Sequence, residues 1–574
     1  MTGTAESRTA DQRAADLERL LGDPYDPTNP FGFAAALDRD ERRQPSTLVD
    51  QALSEWGFSA EFVPTALGGR LSDVDAMVRA LRPVFRRDAA LGLGQGVVSL
   101  MAAAPVWLAG TAAQRSHVAA PLLAGQKLAV GFHELAHGND FLHNECRAHR
   151  TAEGLRLTGA KELINNADRA AAIVLLARTG DGGHGGAHSL LLIDPAVLPP
   201  DRFQILPRFR TAGVRACVIS GWRFTDCPLP ADALLGPVGS GPDTSLRAFQ
   251  LTRVALPGMA LGLLEAALHT VLCFMRDRRL YGSRVADLPH PRTVLAGATT
   301  DLLIADSLVT TVARALHLLP DQCSAYAAAV KYLVPRLITE GLAELASVLG
   351  ARSYLRSGPH AIVGKHLRDA PVVSLGHAGE SVCLLSILPQ LPRLARRAWP
   401  RSDAPPPTLF NLDVPVPELA LDRLTLTNGK RDALFSVLDT LLDGALVGHV
   451  ARDEPAGQAV SEIRAWSTRL RAACGSLPAP ELGSHACPAT LAMAERYAIA
   501  LAASSVLGLA PRQPPAGWLP AALVRIADLL ARRRRLLPAE VAEPVFAAVT
   551  HRLESGLSFG LRPEPLPWTR PGAK

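Results

Sequence analysis

The chain has 574 residues, of which 48% are hydrophobic and 20% charged, with a formal net charge of +6 and an isoelectric point near 9.0. This composition excludes a largely disordered chain, and the length predicts roughly three or four structural units. The excess of positive charge favours acidic partners such as a phosphorylated cofactor, coenzyme A or an acidic carrier protein.

Cysteine, histidine and arginine patterns exclude several other classes of site. Eight cysteines occur without a Cys-x-x-Cys pair, which predicts free thiols in a reducing cytoplasm, and the chain begins without the apolar core of a signal peptide. His137, His143 and His149 lie near Cys146, but their spacing matches no tetrahedral ligand set, so we expect no metal site. The basic run at 531–535 has no interleaved aromatic residues. We interpret it as a solvated helix face and expect no nucleic acid to bind.

Hydrophobic periodicity divides the chain into parts of different character. Apolar residues recur three and four apart before residue 127 and after residue 240, whereas short alternating runs between them predict antiparallel strands. In chain order the parts are a loose lead-in (1–30), an N-terminal helical domain (31–126), a middle β domain (127–240), a helical bundle domain (241–400), a Pro-rich linker (401–417) and an extra C-terminal helical domain (418–574).

The long apolar run at 249–296 predicts a helix, a loop and the start of a second helix. Its portion at 255–275 is long enough to span a bilayer, but Pro257, Glu265 and His269 interrupt it. We therefore expect a buried bundle helix and no stable membrane insertion. The predicted bundle helices are 245–281, 291–318, 323–350 and 369–397.

Four collinear segments carry a resemblance to a known family. GFHELAHGND ends at Asp140, and LTGAKELINNA spans 157–167. FQLTR ends at Arg253 and RRLYG begins at Arg278, while VLGARSY precedes LRDAPVVSL, which spans 367–375. These segments, in an α, β, α order, resemble the acyl-CoA dehydrogenase family of FAD enzymes.

The resemblance implies a mostly α fold with a central β domain, and the additional C-terminal helical domain is similar to that of longer family members such as acyl-CoA oxidases. It implies FAD as cofactor and α,β-dehydrogenation of an acyl-CoA or acyl-carrier-protein thioester to a trans-2-enoyl thioester. Electrons would pass to an electron-transfer flavoprotein or to oxygen. The protein would form a homodimer or homotetramer, with the extra domain covering a subunit interface.

The same resemblance assigns residues to the cofactor and the substrate. Arg278 and Tyr281 would face the FAD of a neighbouring subunit, whereas Asn139 and Arg253 would hold the substrate. The cofactor-binding residues predicted in this way are Phe132, His133, Glu134, Asn139, Leu163, Ile164 and Asn165 around the isoalloxazine, Arg278 and Tyr281, and Ser347 and Gly350 at the other end of FAD.

The catalytic position departs from the family pattern. Seven residues after Ala370, where the family carries the glutamate that takes the α-proton, this chain has His377. A minority of the family carries the base beside the arginine matched by Arg253, but that position is Thr252 here. Three interpretations stay open: His377 is the base, Glu380 reaches the substrate, or no α-proton base exists. In the third case the protein is a non-catalytic binding or partner homologue, or a flavin monooxygenase or oxidase on the same fold.

Overall fold

A mixed β-sheet lies between two helical parts of the chain, and a further set of helices follows the second part. The structure is a computed structural model that describes residues 8–180, 187–376, 378–401, 404–512 and 517–569. The predicted fold class, mostly α with a central β domain and added C-terminal helices, is confirmed. One hydrophobic core runs through all the helical parts, and a second, smaller core belongs to the sheet.

Seven α-helices precede the sheet in the part of the chain that the structure describes, and the first lies where the sequence predicted a loose lead-in. That prediction is wrong, because α1 buries Ala14, Leu17 and Leu21 at helical spacing and Thr9 closes its N-terminus in a capping box. Polar residues between the buried positions concealed this pattern. The helices are α1 Ala10–Leu21, α2 Phe33–Arg42, α3 Thr47–Trp56, α4 Val74–Arg87, α5 Ala89–Gly92, α6 Val98–Ala109 and α7 Ala112–Leu123.

Among the described residues the sheet has eight strands: seven lie in the order β6-β7-β3-β2-β4-β5-β8, and β1 pairs with β4 in parallel. Most other pairs are antiparallel, as the alternating sequence pattern predicts. The first strand leaves the helical layer and ends at a loop that reaches β3. The strands are β1 Lys127–Gly131, β2 Arg147–Thr151, β3 Gly154–Asn165, β4 Ala170–Arg178, β5 His188–Ile193, β6 Phe203–Leu206, β7 Ile219–Leu229 and β8 Leu234–Leu235.

Three long helices form the bundle, and shorter helices follow them. The sequence predicted one helix over 369–397, which is wrong, since Pro371, Gly376 and Pro389 interrupt the helical hydrogen bonding. The bundle contains α8 Gly241–Asp277, the hairpin of β9 Arg279–Leu280 and β10 Ser283–Arg284, α9 Pro289–Leu318, α10 Cys323–Leu349, α11 Ala361–Asp369, α12 Val372–Leu375, α13 Glu380–Ile387 and α14 Leu391–Arg397.

Helix α8 is the axis of this bundle and packs against α4, α6, α9 and α10. By length and composition, four helical stretches of the described chain would be able to cross a membrane. The apolar stretch of α8 is one of them, and all of it is buried inside the fold. The apolar face that suggested a membrane span is therefore covered by other helices of the same chain.

The C-terminal helices pack on α9 and α10. Asp432, just before α15, accepts hydrogen bonds from Tyr326 of α10 at 2.9 Å, Trp399 at 2.7 Å and Tyr497 at 2.9 Å. This buried cluster joins the added helices to the bundle. The helices are α15 Ala433–Ser436, α16 Leu438–Leu442, α17 Ala445–Val450, α18 Glu454–Gly475, α19 Pro488–Leu509, α20 Trp518–Leu530 and α21 Ala539–Glu554.

Arginine contacts change the interpretation of two segments in this region, the Pro-rich stretch and the basic run at 531–535. Arg314 of α9 donates to the carbonyls of Thr408, Leu409, Asn411 and Val414, so the described part of the Pro-rich stretch is bound to the bundle. The basic run at 531–535 was predicted as a helix face, which is wrong. It follows the end of α20, and its arginines pair with carboxylates of neighbouring helices.

A buried ionic network connects the N-terminal helices to the end of the chain. Arg86 of α4 contacts Glu18 of α1 at 3.1 Å, Glu265 of α8 at 2.5 Å and Glu564, beyond α21, at 2.9 Å. Trp568 donates its indole N–H to Glu18 at 2.6 Å. Because a buried charge is costly unless it is paired, these contacts fix the tail against the first helix.

We expect Asp306→Asn to lower the free energy of unfolding by about 3 kcal/mol, because it removes the close counter-charge of the buried Arg82 guanidinium and leaves only Glu265, at 3.7 Å. Arg82 and Asp306 are joined at 2.6 and 3.1 Å, and their side chains are 6% and 4% exposed. The matched control is Asp38→Asn, whose pair with Arg42 is 53% and 69% exposed and contributes at most about 1 kcal/mol. Calorimetric unfolding of both variants tests the difference, and equal shifts would contradict it.

Candidate active site

The loop after β1 is fastened to β3 by a buried ion pair. The carboxylate of Glu134 accepts a hydrogen bond from the Lys161 ammonium at 2.7 Å and from the backbone N–H groups of Glu145 and Cys146 at 2.7 and 3.1 Å. Burial raises the pKa of Glu134, but Lys161 and the two backbone donors outweigh burial and hold this pKa below 4.5. Both carboxylate oxygens are engaged by the protein. Glu134, predicted to contact the cofactor, therefore also holds the loop in place.

A second tie fixes the same loop. The backbone N–H of Glu162 donates to the carbonyl of His133 at 3.1 Å, and the carboxylate of Glu162 accepts from the N–H of Leu135 at 3.1 Å. The strand then bulges at Leu163, which has a φ of +57° and an exposed side chain, whereas Ile164 is buried in the core of the β domain. Of these two predicted cofactor residues, only Leu163 is accessible from outside the strand.

Several buried polar atoms in this region have no hydrogen-bond partner among the described residues, and three of them belong to residues predicted to bind the cofactor. They are Nδ1 of His133, Oδ1 of Asn139 and Oδ1 of Asn165. An unsatisfied buried polar group costs about 1–3 kcal/mol, so three such groups in one region indicate a polar ligand. Burial and the nearby Lys161 charge lower the pKa of His133, which favours a neutral imidazole.

The amide of Asn165 is oriented by a π-helical turn at Leu93–Val97, which joins α5 to α6. Its Nδ2 donates to the carbonyl of Leu93 at 3.0 Å, and the neighbouring Asn166 donates to the carbonyl of Gly94 at 3.1 Å. Because a π turn changes the hydrogen-bond ladder of a helix, it can release carbonyls to such side chains. The nitrogen of Asn165 is thereby fixed, and its oxygen is left for a ligand.

Phe132 lies beneath this region and not on its surface. Its ring is 1% exposed and contacts the ring of Phe141 at a centroid distance of 5.6 Å and that of Phe249 at 5.1 Å. Phe249 belongs to α8, one helical turn before Arg253. The aromatic cluster therefore links the loop after β1 to the part of α8 predicted to hold the substrate.

Arg253 on α8 faces two groups that the sequence analysis missed. They are Lys331 of α10 and Cys383 of α13. Burial lowers the pKa of Lys331 and raises that of Cys383, and the charge of Arg253 acts to lower both. Lys331 donates to the carbonyl of Val373. The signal in the sequence was a single lysine inside an otherwise apolar stretch of α10. Thr252 is buried and bonds within its own helix at 3.2 Å.

The turn before α13 brings the predicted catalytic segment to the loop after β1. A Cβ added at Gly379 would lie 3.3 Å from Nδ2 of Asn139, so the two segments are in contact. His377, a predicted catalytic residue, lies outside the described residues. Glu380 begins α13, is exposed, and lines a cavity of about 460 Å³ that is shared with α10, α19 and α20.

The residues predicted to bind the other end of FAD lie near the C-terminal end of α8. Tyr281, at the tip of the β9–β10 hairpin, is 94% exposed, and Arg278 is exposed with no carboxylate partner in the described chain. Ser347 and Gly350 line a cavity of about 760 Å³. The segment after Gly350 turns back to α8, since Arg352 stacks on Phe274 at 5.5 Å. The hairpin and this cavity therefore share the C-terminal end of α8.

Comparison with known proteins gives the family. Residues 31–126 match the acyl-CoA dehydrogenase N-terminal domain, and residues 239–388 match the acyl-CoA dehydrogenase C-terminal domain. The chain belongs to the acyl-CoA dehydrogenase family. The family matches end before the C-terminal helices α15–α21, which are an addition to the matched domains.

Individual relatives of this acyl-CoA dehydrogenase family member are distant. The mitochondrial short-chain specific acyl-CoA dehydrogenase of Bos taurus is 26% identical over 346 residues, which cover 60% of this chain and 82% of the bovine protein. Butyryl-CoA dehydrogenase from Megasphaera elsdenii has a TM-score of 0.60 at 21% identity, covering 67% of this chain and 98% of its own. The prolyl acyl carrier protein oxidase AnaB has a TM-score of 0.59 at 17% identity, with the same coverage. The structural likenesses show the fold.

We expect Glu134→Gln to loosen the loop after β1, because it leaves the fully buried Lys161 without a counter-charge, at a cost of about 3–5 kcal/mol. Hydrogen exchange should increase in residues 132–147 and in β3. The matched control is Glu145→Gln in the same loop, since that side chain is 77% exposed and pairs only with His137. Equal exchange in both variants would show that the buried pair does not hold the loop.

The same ion pair predicts a pH dependence. The pKa of Glu134 is depressed, so its contribution to stability is present above the unfolded-state pKa and is lost as pH falls through the folded-state value. The difference in melting temperature between the wild type and Glu134→Gln should therefore be constant near neutral pH and shrink below about pH 4.5. A difference that grows on acidification would contradict the assignment.

Proposed function

We propose that this protein is an FAD-dependent oxidoreductase that converts an acyl thioester to a trans-2-enoyl thioester. The proposal rests on the three buried polar atoms of His133, Asn139 and Asn165, which have no partner among the described residues and occupy positions matching the family's flavin site. The neighbouring loop is held rigidly by Glu134 and Lys161, as a preorganised binding site requires.

The side chains of His133, Asn139 and Asn165 suit the polar edge of a flavin. The amide oxygens of Asn139 and Asn165 can accept hydrogen bonds, and the Nδ1 of a neutral His133 can either donate or accept one. Leu163 offers an accessible apolar surface beside them. When bound, FAD supplies the acceptor for the two electrons removed from the substrate.

The other end of the cofactor would lie between two copies of the chain. Arg278 has no carboxylate partner in the described chain, and its planar guanidinium suits a pyrophosphate. Tyr281 is almost fully exposed beside it, which is unusual for an aromatic residue without a partner surface. Ser347 and Gly350 line the cavity that would take the remaining part of FAD. This arrangement supports our proposal of a homodimer or homotetramer.

The α-proton must be taken by a group of this chain. We assign it to His377, which occupies the family's glutamate position, because an imidazole can accept a proton near neutral pH. Glu380 is the second candidate, although it lines a cavity shared with the C-terminal helices. Thr252 has no basic group, so the route used by a minority of the family is closed.

We propose coenzyme A or an acyl carrier protein as the carrier of the thioester. The net charge of +6 is compatible with coenzyme A and with an acidic carrier protein. The similar fold of a prolyl acyl carrier protein oxidase supports considering the carrier protein as well as coenzyme A. Electrons would pass to an electron-transfer flavoprotein or to oxygen, in the cytoplasm.

We expect the purified protein to be yellow, or to become so on addition of FAD, and to be bleached anaerobically by an acyl thioester. A panel of acyl-CoA and acyl-carrier-protein thioesters would be compared for the wild type, His377→Gln and Glu380→Gln. If His377 is the base, bleaching by His377→Gln should slow by at least about 100-fold, a typical contribution of general-base catalysis. Glu380→Gln should remain near the wild-type rate.

Other outcomes would reassign or reject the function. Equal bleaching rates in all three proteins would exclude both residues as the base. A yellow protein that no thioester bleaches, but that binds thioesters, would indicate the non-catalytic homologue, which the absent glutamate at 377 and the threonine at 252 favour. Failure to bind FAD at all would reject every flavin-dependent function for this protein.

A further inference from the structure

Three arginines of the β domain form a row across one face of the sheet. Arg147 of β2 is in register with Arg178 of β4 and with Thr158 of β3. Arg223 of β7 is in register with Ala160 of β3. Residues in register on neighbouring strands lie on the same face, and β7, β3, β2 and β4 are adjacent in the sheet. The arginine row, Arg147, Arg178 and Arg223, therefore crosses four strands.

The arginine row occupies the sheet face that meets the helices. Side chains alternate between the two faces of a strand. Trp222, next to Arg223, points into the separate core of the β domain, whereas Leu176, two residues before Arg178, belongs to the core of the helical parts. Arg147 and Arg223 lie beyond the area that the helices cover, because both are exposed. The row thus extends from the junction of the two parts onto the open surface.

Counter-charges are missing along the row. Within the described ranges, none of its three guanidinium groups has a carboxylate oxygen at 4.0 Å or less, and the residues of β3 that lie between them, Thr158 and Ala160, carry no charge. Arg156, further along β3, shows the usual arrangement for this sheet, since it lies 3.8 Å from Glu153 and 3.7 Å from Asp226. The row is therefore a positive surface that favours an acidic partner.

The row begins where the loop of the candidate active site ends. Glu134 of this loop accepts a hydrogen bond from the backbone N–H of Cys146 at 3.1 Å. His133 and Arg147 are the sequence neighbours of these two residues, so their Cα atoms lie within roughly 16 Å of each other. A partner bound at the row would therefore be close enough to deliver a thioester to the loop on a pantetheine arm.

The shape of this surface suits a protein better than a small molecule. Small ligands bind mainly in concave cavities, whereas Arg147 and Arg223 are exposed on the face of a sheet. Neighbouring strands are about 4.8 Å apart, so a row across four strands spans about 14 Å. Positive charges spread over this distance complement several carboxylates of a protein surface at once.

We propose that the arginine row is the docking surface for an acidic carrier protein, which brings the acyl thioester to the active site on its pantetheine arm. This inference rests on the proposed function and specifies the carrier of its substrate. Arginine suits the role, because a guanidinium can bind a carboxylate through two parallel hydrogen bonds. Complementary charge on the two surfaces orients the encounter and speeds it, and this effect weakens as salt is added.

Binding of carrier proteins to the full-length, FAD-loaded protein tests the proposal without depending on the choice of acyl group. The probes are an acyl carrier protein of fatty acid synthesis and a peptidyl carrier protein, each in its pantetheine-bearing form and labelled for fluorescence anisotropy. We expect at least one of them to bind, and added salt to weaken the binding. Arg147→Glu and Arg223→Glu should each weaken it at least about tenfold, while the affinity for coenzyme A stays unchanged.

The matched control is Arg452→Glu, between α17 and α18, which replaces another exposed arginine that has no ion pair in the described chain. It should bind the carrier as the wild type does. Failure of both carriers to bind the wild type, or binding that the two row variants leave unchanged, would overturn the inference.

Two further outcomes separate the inference from the proposed function. An equal loss of affinity for coenzyme A in the row variants would overturn the inference, because the arginines would then bind the phosphates of that molecule. Anaerobic bleaching by acyl-CoA, together with the absence of carrier binding, would also overturn it and would leave the proposed function intact. A protein that no thioester of either kind bleaches would reject the proposed function and the inference that rests on it.

Discussion

Charge neutralisation inside the helical core is the constraint on which the assembly of the chain depends. Arg86 is almost fully buried, and its guanidinium is satisfied only when carboxylates from α1, α8 and the C-terminal tail converge on it. An ionised side chain in an apolar interior is tolerated only with such partners. The same buried ionic network therefore fixes α4 against α8 and the C-terminal tail against α1. The β domain and its loops are built on this helical frame.

The periodic features of the fold were predictable from the sequence, and the interruptions were less so. The length of α8 and the alternation in β3 follow from local patterns of apolar residues, which is why the α, β, α order could be recognised. Helix α1 was missed because only one narrow face is apolar. The break of 369–397 into short helices depends on single Pro and Gly residues, whose effect on a strongly apolar stretch is hard to judge without the packing around it.

In the candidate site, too, the sequence predicted some residues and missed others. Family motifs led to His133, Asn139 and Asn165, and these side chains do carry unsatisfied polar atoms. The motifs did not distinguish residues that face a ligand from residues that hold the site together, and Glu134 belongs to the second kind. Lys331 lies outside every motif. Its proximity to Arg253 arises from the packing of α8 against α10, which is a tertiary relation that no local sequence pattern contains.

The tail contact has a consequence for the order of events during synthesis. Glu18 and Arg86 are translated well before their partners, since Glu564 follows Arg86 by 478 residues and Trp568 follows Glu18 by 550. Domains generally begin to fold from the N-terminus while translation continues. Here the first helical layer can collapse early but cannot complete its ion pairs and hydrogen bonds until residues 564–568 have been translated. Premature termination within the added helices would leave a core in which Arg86 lacks its partner Glu564 and Glu18 lacks the indole donor of Trp568.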